Sequence, residues 1–206
     1  MSHFVVPNHI IVGNGVLNEA APILKKMGNK AFIVTGKHVA VSDMLKKLIS
    51  LLDENDIRYV VFDGITGEPD DVMIENGVDL LKNSDCDFII GIGGGSPLDS
   101  AKAIAAMAVN GGSISDYNGK EISGEILPLA AIPTTAGTGS EATKFTVITD
   151  SQKGIKMLLK GDVLVPKLAI VDSKFTVSSP KSVTAATGLD ALTHAVEAYT
   201  SKKAFS

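Results

Sequence analysis

The stretch Asp87–Ala105, DFIIGIGGGSPLDSAKAIA, decides the fold. Its first six residues form a short apolar run rich in β-branched side chains, which reads as a strand buried on both faces. Three consecutive glycines, Gly93 to Gly95, follow, and a small-residue helix is expected from about Pro97 to Val109. Glycines where a strand passes into a helix let the backbone come close to a ligand and adopt positive φ. The free N–H groups of a first helical turn, together with the helix dipole, suit a phosphate. Ser96 is expected to cap this helix, Pro97 to take its first position, and Asp99 to lie in its first turn. The pattern is a variant of the dinucleotide fingerprint. Ser96 stands in place of the third glycine, and no acidic residue lies at the usual distance downstream. A tight turn whose glycines serve packing alone is the competing reading.

Outward from this stretch, strand-like and helix-like segments alternate. Ala31–Thr35, Arg58–Phe62 and Leu127–Ile132 are further apolar strands. Leu45, Leu48, Ile49 and Leu52 recur at helical spacing, as do Ile74, Gly77, Val78 and Leu81 after Pro69. Such alternation predicts an α/β fold, a Rossmann-like parallel sheet with helices on both faces. Phe4–Val12 reads as an extra N-terminal strand, and Phe145–Thr149, Ile155–Lys160 and Leu168–Val171 as shorter ones. Residues 111–124, rich in Gly, Ser and Asn, read as a loop. From Ser182 to Tyr199 runs one long helical pattern, which alone would expose its apolar face. The expected division is a dinucleotide-binding domain over residues 1–180 and, over 181–206, the start of a truncated helical domain.

Composition narrows the function classes. A hydrophobic fraction of 45% with 20% charged residues describes a globular chain with a sizeable core. A formal net charge of -4 gives no reason to expect nucleic acid or an anionic membrane as partner. The single cysteine, Cys86, excludes an intrachain disulfide and fits a reducing cytoplasm. No signal peptide is read at the N-terminus, and no apolar run approaches the roughly 18 residues of a membrane helix.

Two further motifs bear on chemistry. Pro133–Glu141, PTTAGTGSE, concentrates hydroxyls and glycines after the Leu127–Ile132 strand, at the sheet edge where ligands of open α/β folds bind. Polar side chains capping their own turn would give the same composition. Asp190 and His194 stand four apart on the last helix and share a face, where they can chelate one divalent ion or form an ordinary helix ion pair. Two ligands are fewer than the three or four that a protein-held zinc or iron needs. His3, His9 and His38 lie in N-terminal and loop contexts that give no reason to converge on them.

Taken together, GGGSPLDSAKA, PTTAGTGSEAT and ATGLDALTHAVEAY resemble the iron-containing (group III) alcohol dehydrogenases over essentially the whole chain, which matches about the first half of such a protein. The resemblance implies a nucleotide-binding α/β domain followed by an all-helical domain, with catalysis in the cleft between them. It implies that Gly94, Gly95, Ser96 and Asp99 hold the cofactor pyrophosphate and nicotinamide region, that Thr134, Thr135 and Thr138 form a second cofactor loop with Val147 nearby, and that Lys156 contacts the cofactor. Asp190 and His194 match the first two ligands of a ferrous (or zinc) ion, the other two being histidines later in the family. It further implies a small alcohol or aldehyde substrate, hydride exchange with NAD or NADP, and a homodimer joined through the N-terminal strand. The family's NAD-preferring members often carry an aspartate after the Ala31–Thr35 strand. Gly36 stands there instead, next to Lys37, so NADP is expected to be accepted. Two alternatives remain open: a stand-alone nucleotide-binding or interaction module without catalysis, and the related glycerol dehydrogenase or dehydroquinate synthase type of fold.

Overall fold

A computed structural model describes residues 4–202. Six parallel strands form one sheet in the order β1 (His9–Gly13), β8 (Leu168–Asp172), β5 (Leu129–Pro133), β4 (Phe88–Gly93), β2 (Lys30–Val34) and β3 (Arg58–Phe62). Period-two alternation splits the central strands between two cores. Ala31, Ile33, Ile90, Ile132 and Ile170 face α1 (Ala21–Met27) and α3 (Asp43–Glu54). Phe32, Val34, Ile89 and Leu129 face α4 (Asp71–Lys82) and α5 (Gly95–Asn110). Phe32 stacks on Phe62, ring centroids 6.1 Å apart, and carries the second core to the β3 edge. The α/β sheet covered on both faces is therefore as expected.

Local chemistry sets the helix starts. The Ser42 hydroxyl accepts the Leu45 N–H at the head of α3, and Asp70 Oδ1 accepts the Met73 N–H at 2.8 Å at the head of α4. A short helix, α2 (Lys37–Ala40), precedes α3, so His38 is helical rather than in a loop.

Several expectations are corrected. The first strand is His9–Gly13; Phe4–Asn8 pair with nothing in the sheet, because β8, the partner, begins only at Leu168. His3 lies outside the described residues. The helix after the glycines starts at Gly95 with Gly94 as its cap, two residues before the expected start; Ser96 and Pro97 therefore sit inside the first turn and Asp99 beyond it. Glycine tolerates both cap and helical geometry, so nothing forces the helix to wait for Ser96. The 111–124 loop contains one 3-10 turn, Ile114–Tyr117.

The strands β6 (Phe145–Asp150) and β7 (Ile155–Lys160) stand apart from the main sheet as an antiparallel hairpin. They bury Ile148, Met157 and Leu159 against α4 and α5. The last helix, α6 (Lys181–Thr200), has no buried residue and exposes Leu189, Leu192, Val196 and Tyr199. Among the described residues no helix is long and apolar enough to cross a membrane.

Candidate cofactor site

The chain turns outward from β2 to β3 on one side of the sheet and from β4 to β5 on the other, so the order reverses between β2 and β4. Ligands of open α/β sheets bind outside the carboxyl ends of strands at such a point. Gly36 follows β2 there, and Gly94 follows β4. A cavity of about 250 Å³ opens between them, lined among others by Gly36, Gly94, Thr134, Thr135, Ser179 and Val183. A second of about 300 Å³ adjoins it, lined by Gly36, Lys37, His38, Ser96 and the Ile65–Gly67 turn, with no carboxylate in its wall. A larger cavity of about 560 Å³, between α3 and the turn at Lys174, includes none of the glycine- or threonine-loop residues.

Gly93 has φ +150, and the Pro97 ring stands 2.6 Å from where a Cβ would be. Only glycine turns the chain here into a helix whose first turn opens on the cavity. The first turn of α5 has neither a side-chain cap nor an acidic residue, which leaves its backbone donors and dipole to an anionic ligand.

The two loops meet. Thr135 lies 3.5 Å from the position of a Gly94 Cβ, and the Thr138 methyl 3.0 Å from that of Gly95. The Thr134 N–H donates to the Gly93 carbonyl at 2.8 Å. Gly36 is held differently: the backbone carbonyl of Ile65 stands 2.7 Å from its Cβ position.

The remaining expected residues are placed as follows. Asp99 is turned inward: its carboxylate accepts the Ser140 hydroxyl through one oxygen and, at 2.9 Å, the Val147 N–H through the other, so it joins α5 both to the 3-10 turn Ser140–Ala142 and, at Val147, to β6. Burial pushes this carboxyl above its ordinary value, opposed by those two hydrogen bonds and by the charge of Lys102. Lys156 is exposed on β7 and ion-paired with Glu68, which follows the Ile65–Gly67 turn. Lys102 escaped the sequence reading. It is fully buried, with Nζ donating to the carbonyls of Thr143 (2.9 Å) and Phe145 (2.8 Å) and to the Thr143 hydroxyl (3.1 Å). Its signal was a lone cation inside the apolar run AKAIAAMAV.

Asp190 Oδ1 and His194 Nε2 stand 3.7 Å apart, both about half exposed. Two donors on one tetrahedral ion lie roughly 3.3 Å apart, given metal–ligand distances near 2 Å. The pair therefore fits one ion as half of a ligand set. Among the described residues no group of three or more His, Cys, Asp and Glu side chains is placed to complete it. The helix carrying the pair and the turn before it lean on the second loop: the Ser179 hydroxyl, ahead of α6, donates to the Thr134 carbonyl at 3.1 Å, and the Thr187 carbonyl on α6 is 2.5 Å from a Cβ position on Gly137.

The family profile described as iron-containing alcohol dehydrogenase matches residues 7–173. The chain is 40% identical to the NAD-dependent methanol dehydrogenase of Bacillus methanolicus, covering 99% of this chain and 54% of that protein. The solved structure of a 1,3-propanediol oxidoreductase superposes with a TM-score of 0.96 at 35% identity, over 100% of this chain and 54% of the other. The sulfoacetaldehyde reductase of Bifidobacterium kashiwanohense, solved in complex with NAD+, gives 0.89 at 34% identity, over 98% and 54%. The chain thus spans about half the length of the curated relatives it matches.

Proposed function

Since the chain belongs to the iron-containing alcohol dehydrogenase family, we propose that it supplies the cofactor-binding half of an NAD(P)-dependent, divalent-metal-assisted alcohol dehydrogenase or aldehyde reductase. The observation that carries this reading is the convergence of Gly36, the uncapped start of α5 and the Thr134–Thr138 loop on one crevice at the reversal of strand order. Residues 1–180 form the cofactor domain, and 181–206 begin the helical domain that holds the metal.

When bound, the nicotinamide exchanges a hydride with a small primary alcohol or aldehyde, and the ion supplies Lewis acidity. Gly94, Gly95 and Ser96 would offer backbone donors to the pyrophosphate, with Thr134, Thr135 and Thr138 beside them. Val147 and Asp99 fix the spacing of the two loops, and Lys156, paired with Glu68 beside the Ile65–Gly67 turn, would contact the nucleotide. Asp190 and His194 hold the ion. Two copies pair along the β1 edge, where Ile10 and Val12 are exposed, in a reducing cytoplasm.

The cavity that takes the adenosine ribose carries Lys37 and His38 and no carboxylate. A 2′-phosphate meets no like charge there, so NADP is accepted at least as well as NAD. Fluorescence titration of the 206-residue chain with NADH and NADPH tests both statements. Saturable binding of each, with Kd below about 1 mM, is expected. No binding of either would sink the cofactor reading; NADH tighter than NADPH by about tenfold (1.4 kcal/mol) would sink the preference alone.

A further inference from the structure

We propose that Lys102 is the positioning residue of the second cofactor loop, its buried ammonium tying Thr143 and Phe145 to the helix that begins at the first loop. The proposal rests on the cofactor reading above. Its basis is geometric. Lys102 and Asp99, one turn apart on α5, bracket residues 140–147. Asp99 receives Ser140 and Val147 through its carboxylate, and the Thr146 hydroxyl at 2.8 Å through its carbonyl. Lys102 reaches the stretch between them with all three of its donors. The result is one clamp from α5 to residues 140–147, and the Thr134–Thr138 loop leads into it, the Thr138 hydroxyl accepting the Ser140 N–H at 3.3 Å.

A lysine with no exposed surface is rare, because an ammonium loses its hydration on burial. A neutral side chain could fill the same volume without that cost. The charge does what a neutral group cannot: it satisfies three acceptors on two residues and faces two carboxylates. Those carboxylates are Asp99 on its own helix and Glu141 on the 3-10 turn Ser140–Ala142, while β6 presents the Phe145 carbonyl. Burial lowers the Lys102 pKa to about 8 despite them. Above that pH the amine keeps two N–H groups for the two carbonyls, the Thr143 hydroxyl must turn to donate, and the charge facing Asp99 and Glu141 is gone. Even so, opening the clamp returns this amine to water and to its ordinary pKa of 10.5, so opening takes up a proton and the clamp opens less readily as the pH rises from about 7 to 9.5.

The test compares wild type with Lys102→Met, which keeps the length of the side chain and removes its donors. Hydrogen exchange at pH 7 is expected to show residues 138–147 less protected in the variant while β4 and β5 stay as in wild type. NADH binding at pH 7 is expected to weaken about three- to tenfold, as for loss of a charged hydrogen bond. That gap should widen as the pH is raised to 9.5, because opening of the wild-type clamp requires uptake of an increasingly scarce proton, whereas the variant has no such group. A gap of constant size would reduce Lys102 to a space-filling role, and unchanged protection of 138–147 would overturn the clamp. If the variant does not fold, wild type alone decides: a flat NADH affinity and flat protection of 138–147 (corrected for intrinsic exchange) from pH 7 to 9.5 refute the proposal. Wild type that binds no NADH at pH 7 contradicts the cofactor reading instead, while the exchange data still decide the clamp.

Discussion

At the scale of single residues, the most exacting position is Gly36. The sequence marks it only as a missing aspartate. The structure adds that the Ile65 carbonyl occupies the space of any side chain there, 2.7 Å from the Cβ position. Gly36→Asp should therefore do two things. It should destabilise the fold by about 1–3 kcal/mol through overpacking, read as a fall in Tm of roughly 3–10 °C for a chain of this size. It should also weaken NADPH binding by at least about tenfold through repulsion of the 2′-phosphate. An unchanged Tm would show that the 64–67 turn yields freely, and unchanged NADPH affinity that the ribose lies elsewhere. Residue identity alone could not reveal this contact, because it joins two loops whose approach is fixed by the pairing of β2 with β3. Asp99 shows the same limit. Its motif position was plain in the sequence, but the direction of its carboxylate depends on Ser140 and Val147, which the fold brings to it from 41 and 48 residues away.

At the scale of elements, most of the architecture was written in periodicity. Strands buried on both faces appear as unbroken apolar runs, and Arg58–Phe62 and Ile155–Lys160 have the boundaries expected. What periodicity cannot express is partnership. Nothing in Phe145–Thr149 or Ile155–Lys160 says that they pair with each other in a hairpin outside the main sheet. Nor does the sequence of α6 say what it rests on. Its contact with the rest of the chain depends on Gly137, where the Thr187 carbonyl and Cβ come within 2.5 and 2.6 Å of a Cβ position. Gly137→Ala should push the helix and the second cofactor loop apart. Because α6 buries nothing, the cost falls on this contact rather than on the core. Hydrogen exchange across residues 181–190 is expected to rise severalfold with β4 and β5 unaffected; equal exchange in both proteins would mean that the loop absorbs the methyl group.

At the scale of the whole molecule, the cofactor half and the metal half differ in kind. The crevice is assembled by elements that lock into two cores, whereas Asp190 and His194 sit on an exposed helix with no third donor among the described residues. An ion held by two half-exposed ligands gains little over water, so the 206-residue chain should lose iron or zinc on dialysis against a chelator. Metal analysis checks this, and one equivalent surviving dialysis would contradict it. The sheet order has a kinetic consequence as well. The first strand of the chain, β1, finds its partner in the last strand of the sheet, β8. The loop that must close is nearly the whole domain, so this pairing belongs late in folding. During synthesis at about 5–20 residues per second, Ile10, Ile11 and Val12 wait on the order of 10 s for β8 to leave the ribosome. Throughout that interval an apolar strand with both backbone edges open is available to pair with other chains.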